Sequence, residues 1–169
     1  NGQTLADLLD GSDIVRVGHY EPGKIKDDFV APGFGAFFAQ VRVNHYTGET
    51  RVDRMLGAFG FGRVLNAKTA RSQCLGGITW SIGMALTEAL EFDPRDGHLV
   101  NRDLAEYHVP VHRDVPDLDV LLIEERDPAA SIIQAKGIGE LGMCGGAAAI
   151  ANAIYNACGA RVFDYPMTP

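Results

Sequence analysis

Cysteine is scarce in this chain. The three present, Cys74, Cys144 and Cys158, are odd in number and widely separated. That excludes a disulfide scaffold, which needs paired cysteines, and lacks the clustered spacing of a zinc or iron–sulfur site. Buried, reduced thiols in a reducing, cytoplasmic compartment are expected. Basic residues are also in deficit. Fifteen Lys and Arg against 22 Asp and Glu leave a net charge of −7, which argues against a nucleic-acid partner, since that would need a basic face. No apolar run approaches the roughly 18–20 residues that cross a bilayer, so no membrane partner is expected. The first residues show no charged segment followed by an apolar one, so no signal peptide is read. Internal repeats and low-complexity tracts are absent. His108 and His112 stand four apart, but Pro110 between them breaks helical spacing, and no metal site is assigned to them or elsewhere.

What is present begins with size. The 169 residues, 46% of them hydrophobic, suit one domain or two small lobes around a real core. Glycine is abundant, at 20, and its most telling cluster is 134–146. There Glu140 sits among Gly137, Gly139, Gly142, Gly145 and Gly146. Glycine permits close approach of backbone to a ligand. The following residues, Ala147, Ile150, Ala151, Ile154, Tyr155 and Cys158, recur at steps of three and four and predict a helix. A glycine-rich turn entering a helix offers free N–H groups and the positive end of a dipole, which suits an anion. A carboxylate just before such a turn is a candidate general base. Spacing alone also permits a flexible loop with a solvated glutamate.

Earlier in the chain, residues 1–10 predict a short helix, with Thr4 as N-cap and Asp7 three residues on. Residues 18–30 are polar and broken by Pro22-Gly23, and read as loop. Phe37, Ala39, Val41 and Val43 alternate with Phe38, Gln40, Arg42 and Asn44, as in a strand with one buried face. Thr47-Gly48-Glu49 supplies the turn, with Gly48 suited to a left-handed position, and residues 36–60 predict a hairpin. The series Ala70, Cys74, Ile78, Ile82, Leu86 and Leu90 predicts a helix from about 68 to 91, capped by Asn66. Gly76, Gly77 and Gly83 inside it point to close approach by a backbone or a ligand. Asp96-Gly97 marks another turn, and 116–125 reads as a buried strand. The order of elements predicts an α+β fold rather than a parallel array: a β-hairpin and mixed sheet packed against a long helix and a C-terminal Ala-rich helix. Residues 1–33 read as a connecting segment and 34–169 as the domain.

Gly137-Ile138-Gly139-Glu140, Gly142 and the run Ala148 to Tyr155 resemble the C-terminal signature of the molybdenum hydroxylases, the xanthine dehydrogenase and aldehyde oxidase family. The match is to the large molybdopterin-binding subunit. The hairpin, Gly62-Arg63-x-x-Asn66, Gln73-x-x-Gly76-Gly77 and the closing segment from Gly159 resemble the same family. This segment also departs from the family pattern: many relatives carry an acidic residue where Gly60 stands, a small residue at Phe61 and a proline at Ala67, and loss of the acidic group removes a possible anchor of the turn. The resemblance implies a molybdenum held by molybdopterin without protein side-chain ligands. Glu140 would be the general base on Mo–OH, in oxidation of an aldehyde or N-heterocycle with water as oxygen source. Gln73 becomes a candidate cofactor-binding residue. Gly137, Gly139, Gly142, Gly145 and Gly146 become candidate backbone donors to the pterin or its phosphate. Ile138 and Leu141 flank Glu140 and are expected to desolvate it, raising its pKa. Further implied are 2Fe–2S clusters and FAD on other domains or subunits, and, as partners, the remainder of the large subunit, the iron–sulfur and flavin subunits or domains, and a small-molecule substrate.

Two other readings stand beside this one. The chain could be an isolated, non-catalytic fragment or subunit-interaction module, because the family's large subunit is several times longer. It could also be a nucleotide-binding domain, since Gly137-x-Gly139-x-x-Gly142 formally matches a dinucleotide fingerprint. That fingerprint needs a preceding parallel strand and an acidic residue on a second strand. Asp164 lies at the right distance but follows the Ala-rich helix beside Pro166, and no Walker motif is present.

Overall fold

The computed structural model describes all residues except 1, 10, 14 and 22–24, with the side chains of 25 and 26 also left aside. The Pro22-Gly23 break lies outside the described residues. The elements in order are α1 (Leu5–Leu9), α2 (Ile25–Asp28), β1 (Phe34–Val43), β2 (Thr50–Gly60), α3 (Ala67–Leu86), β3 (Asp117–Ile123) and α4 (Gly146–Cys158).

The α1 cap forms as its residues predict. Thr4 N and Oγ1 donate to Asp7 Oδ2, and Asp7 N donates back to Thr4 Oγ1. Yet α1 buries no residue, and Leu5 and Leu8 are exposed. The short α2 corrects the reading of 18–30 as loop throughout.

β1 and β2 form the antiparallel hairpin, from Phe34↔Gly60 to Val43↔Thr50, with a register shift at Gln40/Val41. Gly48 closes it at φ +75°. Phe37, Ala39, Val41 and Val43 face the core and their neighbours face out, because side chains alternate along a strand. β3 pairs with β2 in parallel, Arg54↔Asp117 to Gly60↔Ile123, so the sheet order is β1-β2-β3. The chain from β2 through α3 to β3 is therefore a parallel crossover inside a mixed sheet. β3 is not the fully buried strand expected. Leu118, Val120 and Leu122 pack inward, while Leu121 and Ile123 are exposed.

Both long helices lie on one face of the sheet, α4 against β1 and α3 against β2 and β3. Met55, Phe59, Cys74, Ile78, Ile82 and Ile150 fill the space between. Asn66 caps α3, accepting from Thr69 N at 3.1 Å. The helix ends at Leu86, short of the expected 91. There Thr87 N and Glu88 N both donate to Gly83 O, and the chain turns away. Leu90 is left exposed. The Glu88 side chain occupies the space a Gly83 side chain would need, and Glu88 Oε2 accepts from Tyr107 Oη at 2.7 Å. The turn at 92–99 closes as expected, with Gly97 at φ +74° and a bridge between Phe92 and Leu99.

Candidate functional site

The glycine-rich turn is held at its entry by the exit of β2. Gly62 bridges Ala135, Arg63 N donates to Gln134 O at 2.7 Å, and Lys136 N donates to Phe61 O at 2.9 Å. Gly62 sits at φ +76° with its α-carbon against Gln134 O, so a side chain there would be both strained and blocked. Gln134 itself adopts φ 60°, a conformation uncommon outside glycine.

An ion cluster fixes the same junction. The Lys136 side chain, 9% exposed, places Nζ 2.5 Å from Glu125 Oε1 and 3.0 Å from Asp127 Oδ2. Glu125 Oε1 also accepts from Gly62 N at 3.0 Å. Hydrogen bonds to Glu125 and then Asp127 raise the Lys136 pKa above its ordinary value. The bond from Lys136 holds Asp127 below the ordinary carboxylate value. Glu125 thus provides an acidic anchor at this turn. An acidic side chain at position 60 would meet the Phe34 ring, which lies over Gly60.

Beyond Lys136 the turn crosses α3. Gly77 and Gly142 are the crossing point. A Cβ on Gly77 would fall 2.6 Å from Gly142 C, and one on Gly142 would fall 2.8 Å from Cys74 O. The close approach expected of the helix glycines is thus real at Gly77, and its partner is the turn. One helical turn before Gly77, Gln73 Nε2 donates to Gly139 O at 2.6 Å.

That bond separates two hollows. One, of about 530 Å³, is lined by Thr69, Ser72, Gln73, Gly76, Gly77, Trp80, Gly139 and Met143. The other, of about 400 Å³, runs past Arg63, Asn66, Thr69 and Gln73 to Lys136, Ile138 and Gly139. A Cβ at Gly76, Gly137 or Gly139 would meet nothing within 4 Å, so the backbone here is open to close approach. A further hollow of about 450 Å³, between the hairpin end and Met167 to Pro169, contains no residue of the turn.

The sequence-predicted site residues divide. Gln73 and Gly139 line both hollows, while the exposed Glu140 and Gly137 flank that stretch in the chain and line neither. Glu140 O accepts from Met143 N at 3.1 Å and from Cys144 Sγ. Its carboxylate has no partner among the described residues. Leu141 does not supply the expected apolar surround, because it packs on the core, while Ile138 packs on the core and also lines the second hollow. Gly142, Gly145 and Gly146 also lie on the inner side. A Cβ on Gly145 would fall 2.6 Å from the Phe37 ring, and one on Gly146 would overlap Ser81. Gly146 and Ala147 are buried, so the start of α4 is packed into the molecule and opens on neither hollow.

Among the described residues no group of three or more His, Cys, Asp or Glu could hold a metal. The arrangement fits a group bound through an organic portion by open backbone and the Gln73 amide. Cys74 is buried, and burial raises its pKa. Cys144 and Cys158 are exposed, unlike the buried thiols expected. No helix among the described residues is long and apolar enough to cross a membrane. Sequence reasoning missed Glu125 and Asp127. They stand 11 and 9 residues before Lys136 in a charged run, with no local spacing that marks the pairing.

Comparisons with known proteins bear on this geometry. The family described as the molybdopterin cofactor-binding domain matches residues 3–116. The aldehyde oxidoreductase molybdenum-binding subunit PaoC of Escherichia coli (strain K12) is 47% identical over 165 residues, 98% of this chain and 22% of that protein. That span includes the glycine-rich turn. The probable hypoxanthine oxidase XdhD of the same strain is 37% identical over 86% of this chain and 15% of its own length. The crystal structure of the aldehyde oxidoreductase from Desulfovibrio desulfuricans superposes with TM-score 0.73 at 30% identity, covering 81% of this chain and 15% of the other. The chain thus spans about a fifth or less of these relatives.

Proposed function

The chain belongs to the molybdopterin cofactor-binding domain family, and from that premise we propose that it is the C-terminal part of the large subunit of a molybdenum hydroxylase. The enzyme would oxidise an aldehyde or an N-heterocycle with water as the oxygen source. The observation that carries this reading is the Gln73–Gly139 hydrogen bond. It joins the two segments named as cofactor-binding and leaves Glu140 exposed at their junction.

Molybdopterin, when bound, supplies a metal centre that accepts the two electrons of the oxidation. The chain's own part is binding and proton transfer. Gly137 and Gly139 offer backbone that a planar ligand can approach without meeting a side chain. Gln73 fixes Gly139 with its amide nitrogen and keeps its amide oxygen for a ligand donor. Gly77 and Gly142 set the distance between helix and turn. Oxidation of an aldehyde to an acid by water releases two protons with the two electrons. In this reading the Glu140 carboxylate accepts a proton from the water-derived nucleophile. A base acting near neutral pH gains from a raised pKa. Since Glu140 is exposed here, its desolvation comes from substrate and from the rest of the longer protein. Iron–sulfur and flavin groups on other domains or subunits would supply the onward acceptors for the electrons.

In the intact enzyme, Glu140→Gln should leave molybdenum content unchanged by elemental analysis and lower turnover by about 10²–10⁴-fold. Near-normal turnover would remove Glu140 from the role of base. A second reading, that these residues alone form a non-catalytic module, is favoured by the openness of both hollows and by the short span relative to the relatives. The two readings agree if catalysis belongs to the whole protein.

A further inference from the structure

Upstream of Glu140 the chain is held hard and then released. Lys136 N donates to Phe61 O at the exit of β2. Gly137, Ile138 and Gly139 follow before the carboxylate. Neither glycine is restrained by packing, since a Cβ on either would meet nothing within 4 Å. Whatever fixes Lys136 therefore sets where this short span starts. One oxygen does much of that fixing. Glu125 Oε1 accepts from both Gly62 N and Lys136 Nζ, so it ties the β2 exit to the turn. Asp127 Oδ2 takes the same ammonium from a second side. Glu125 N returns a bond to Gly62 O at 3.3 Å. The residue inside this knot carries two costs. Gln134 holds φ 60°, and its Oε1 is buried with no partner among the described residues. A residue in such a state persists only where its surroundings over-determine it.

We propose that Lys136, clamped between Glu125 and Asp127, is a positioning residue that sets the place from which Glu140 acts. The proposal rests on the reading of Glu140 as the base. Lys136 borders the second hollow, yet its ammonium is taken up by two carboxylates. One positive charge against two negative leaves the cluster net negative, so it does not draw an anion into the hollow. A buried ion cluster also gains little net folding energy over apolar packing, because desolvation offsets the attraction; what it supplies is a single geometry. Downstream, the turn is fixed independently, by the Gln73 bond to Gly139 O and by the packing of Gly142 on Cys74. With both ends pinned, the short span between them has one path, and a shift at Lys136 is passed on to Glu140. A misplacement of about 1 Å at a reacting group can cost on the order of 10²-fold in rate.

The test uses the full-length enzyme carrying Lys136→Met, Glu140→Gln or both, compared at equal molybdenum content and well below the melting temperatures. Lys136→Met should lower kcat by about 10–100-fold and change KM by less than about twofold. In the Glu140→Gln background the same substitution should change the residual kcat by less than about twofold, because a base already removed cannot be misplaced. A merely structural role would cut turnover in both backgrounds alike, and that result overturns the proposal. Hydrogen exchange at residues 137–140 should speed by about tenfold or more in Lys136→Met. Unchanged exchange, or an unchanged kcat, overturns the proposal as well. Should Lys136→Met fail to fold, Glu125→Gln takes its place. The neutral amide oxygen accepts the same two bonds more weakly, so kcat should fall and exchange should rise by about three- to tenfold. No change in either would again overturn the proposal. Near-normal turnover of Glu140→Gln by itself defeats the reading on which the proposal rests. A slow Glu140→Gln beside a Lys136→Met of normal kcat defeats the proposal alone.

Discussion

Glycines of one short turn do different work, and the difference is readable atom by atom. Gly142 has no room for a methyl group, because its α-carbon rests on the backbone of Cys74. Gly139, three residues earlier, has nothing within 4 Å of where a methyl would stand. Gly142→Ala should therefore cost about 1–3 kcal/mol of folding stability, the usual range for overpacking. Gly139→Ala should cost far less, since only open space is filled. Urea unfolding of the two variants side by side checks the contrast, and equal losses would contradict the packing. The sequence supplied both residues and their clustering. It could not say which side of the turn each one faces, since that depends on the helix that crosses it.

At the scale of elements, local signals were legible and distant ones were not. The hairpin followed from alternating apolar residues and a glycine at the turn, and α3 began where Asn66 could cap it. The end of α3 was not legible. Its apolar stripe runs on to Leu90, but Glu88 folds back over Gly83 to meet Tyr107, a contact 19 residues away in sequence. The parallel partner of β2 was hidden for the same reason, since no local pattern records a pairing across α3. The junction of β2 with the turn was also hidden, because its ions come from separate segments. That junction has a pH signature. Lys136 titrates above its ordinary 10.5 in the folded protein, so its contribution is complete below that value and fades as pH rises through the folded value. Asp127 titrates below its ordinary 3.8, so its contribution is complete above that value and fades as pH falls through the folded one. Lys136→Met should lower stability across the range between. It should also flatten the loss seen on acidification below pH 3.8. Thermal melts across pH check both, and an unchanged acid limb would contradict the pairing.

As a whole, the molecule is a two-layer piece with its chemistry at an edge. Both hollows are shallow clefts against α3, and the carboxylate beside them is exposed. The chain purified by itself should therefore carry far less than one molybdenum per molecule, measured by elemental analysis. Stoichiometric metal would contradict the need for further walls. The backbone rungs joining residues 61–63 to 134–136 have one more implication. They tie the two ends of a long excursion together beside the candidate site. Insertions or deletions in the exposed part of that excursion, around 92–114, are absorbed before they reach the knot. Residues 92–114 line neither hollow, so changes of length there would leave the glycine-rich turn in place.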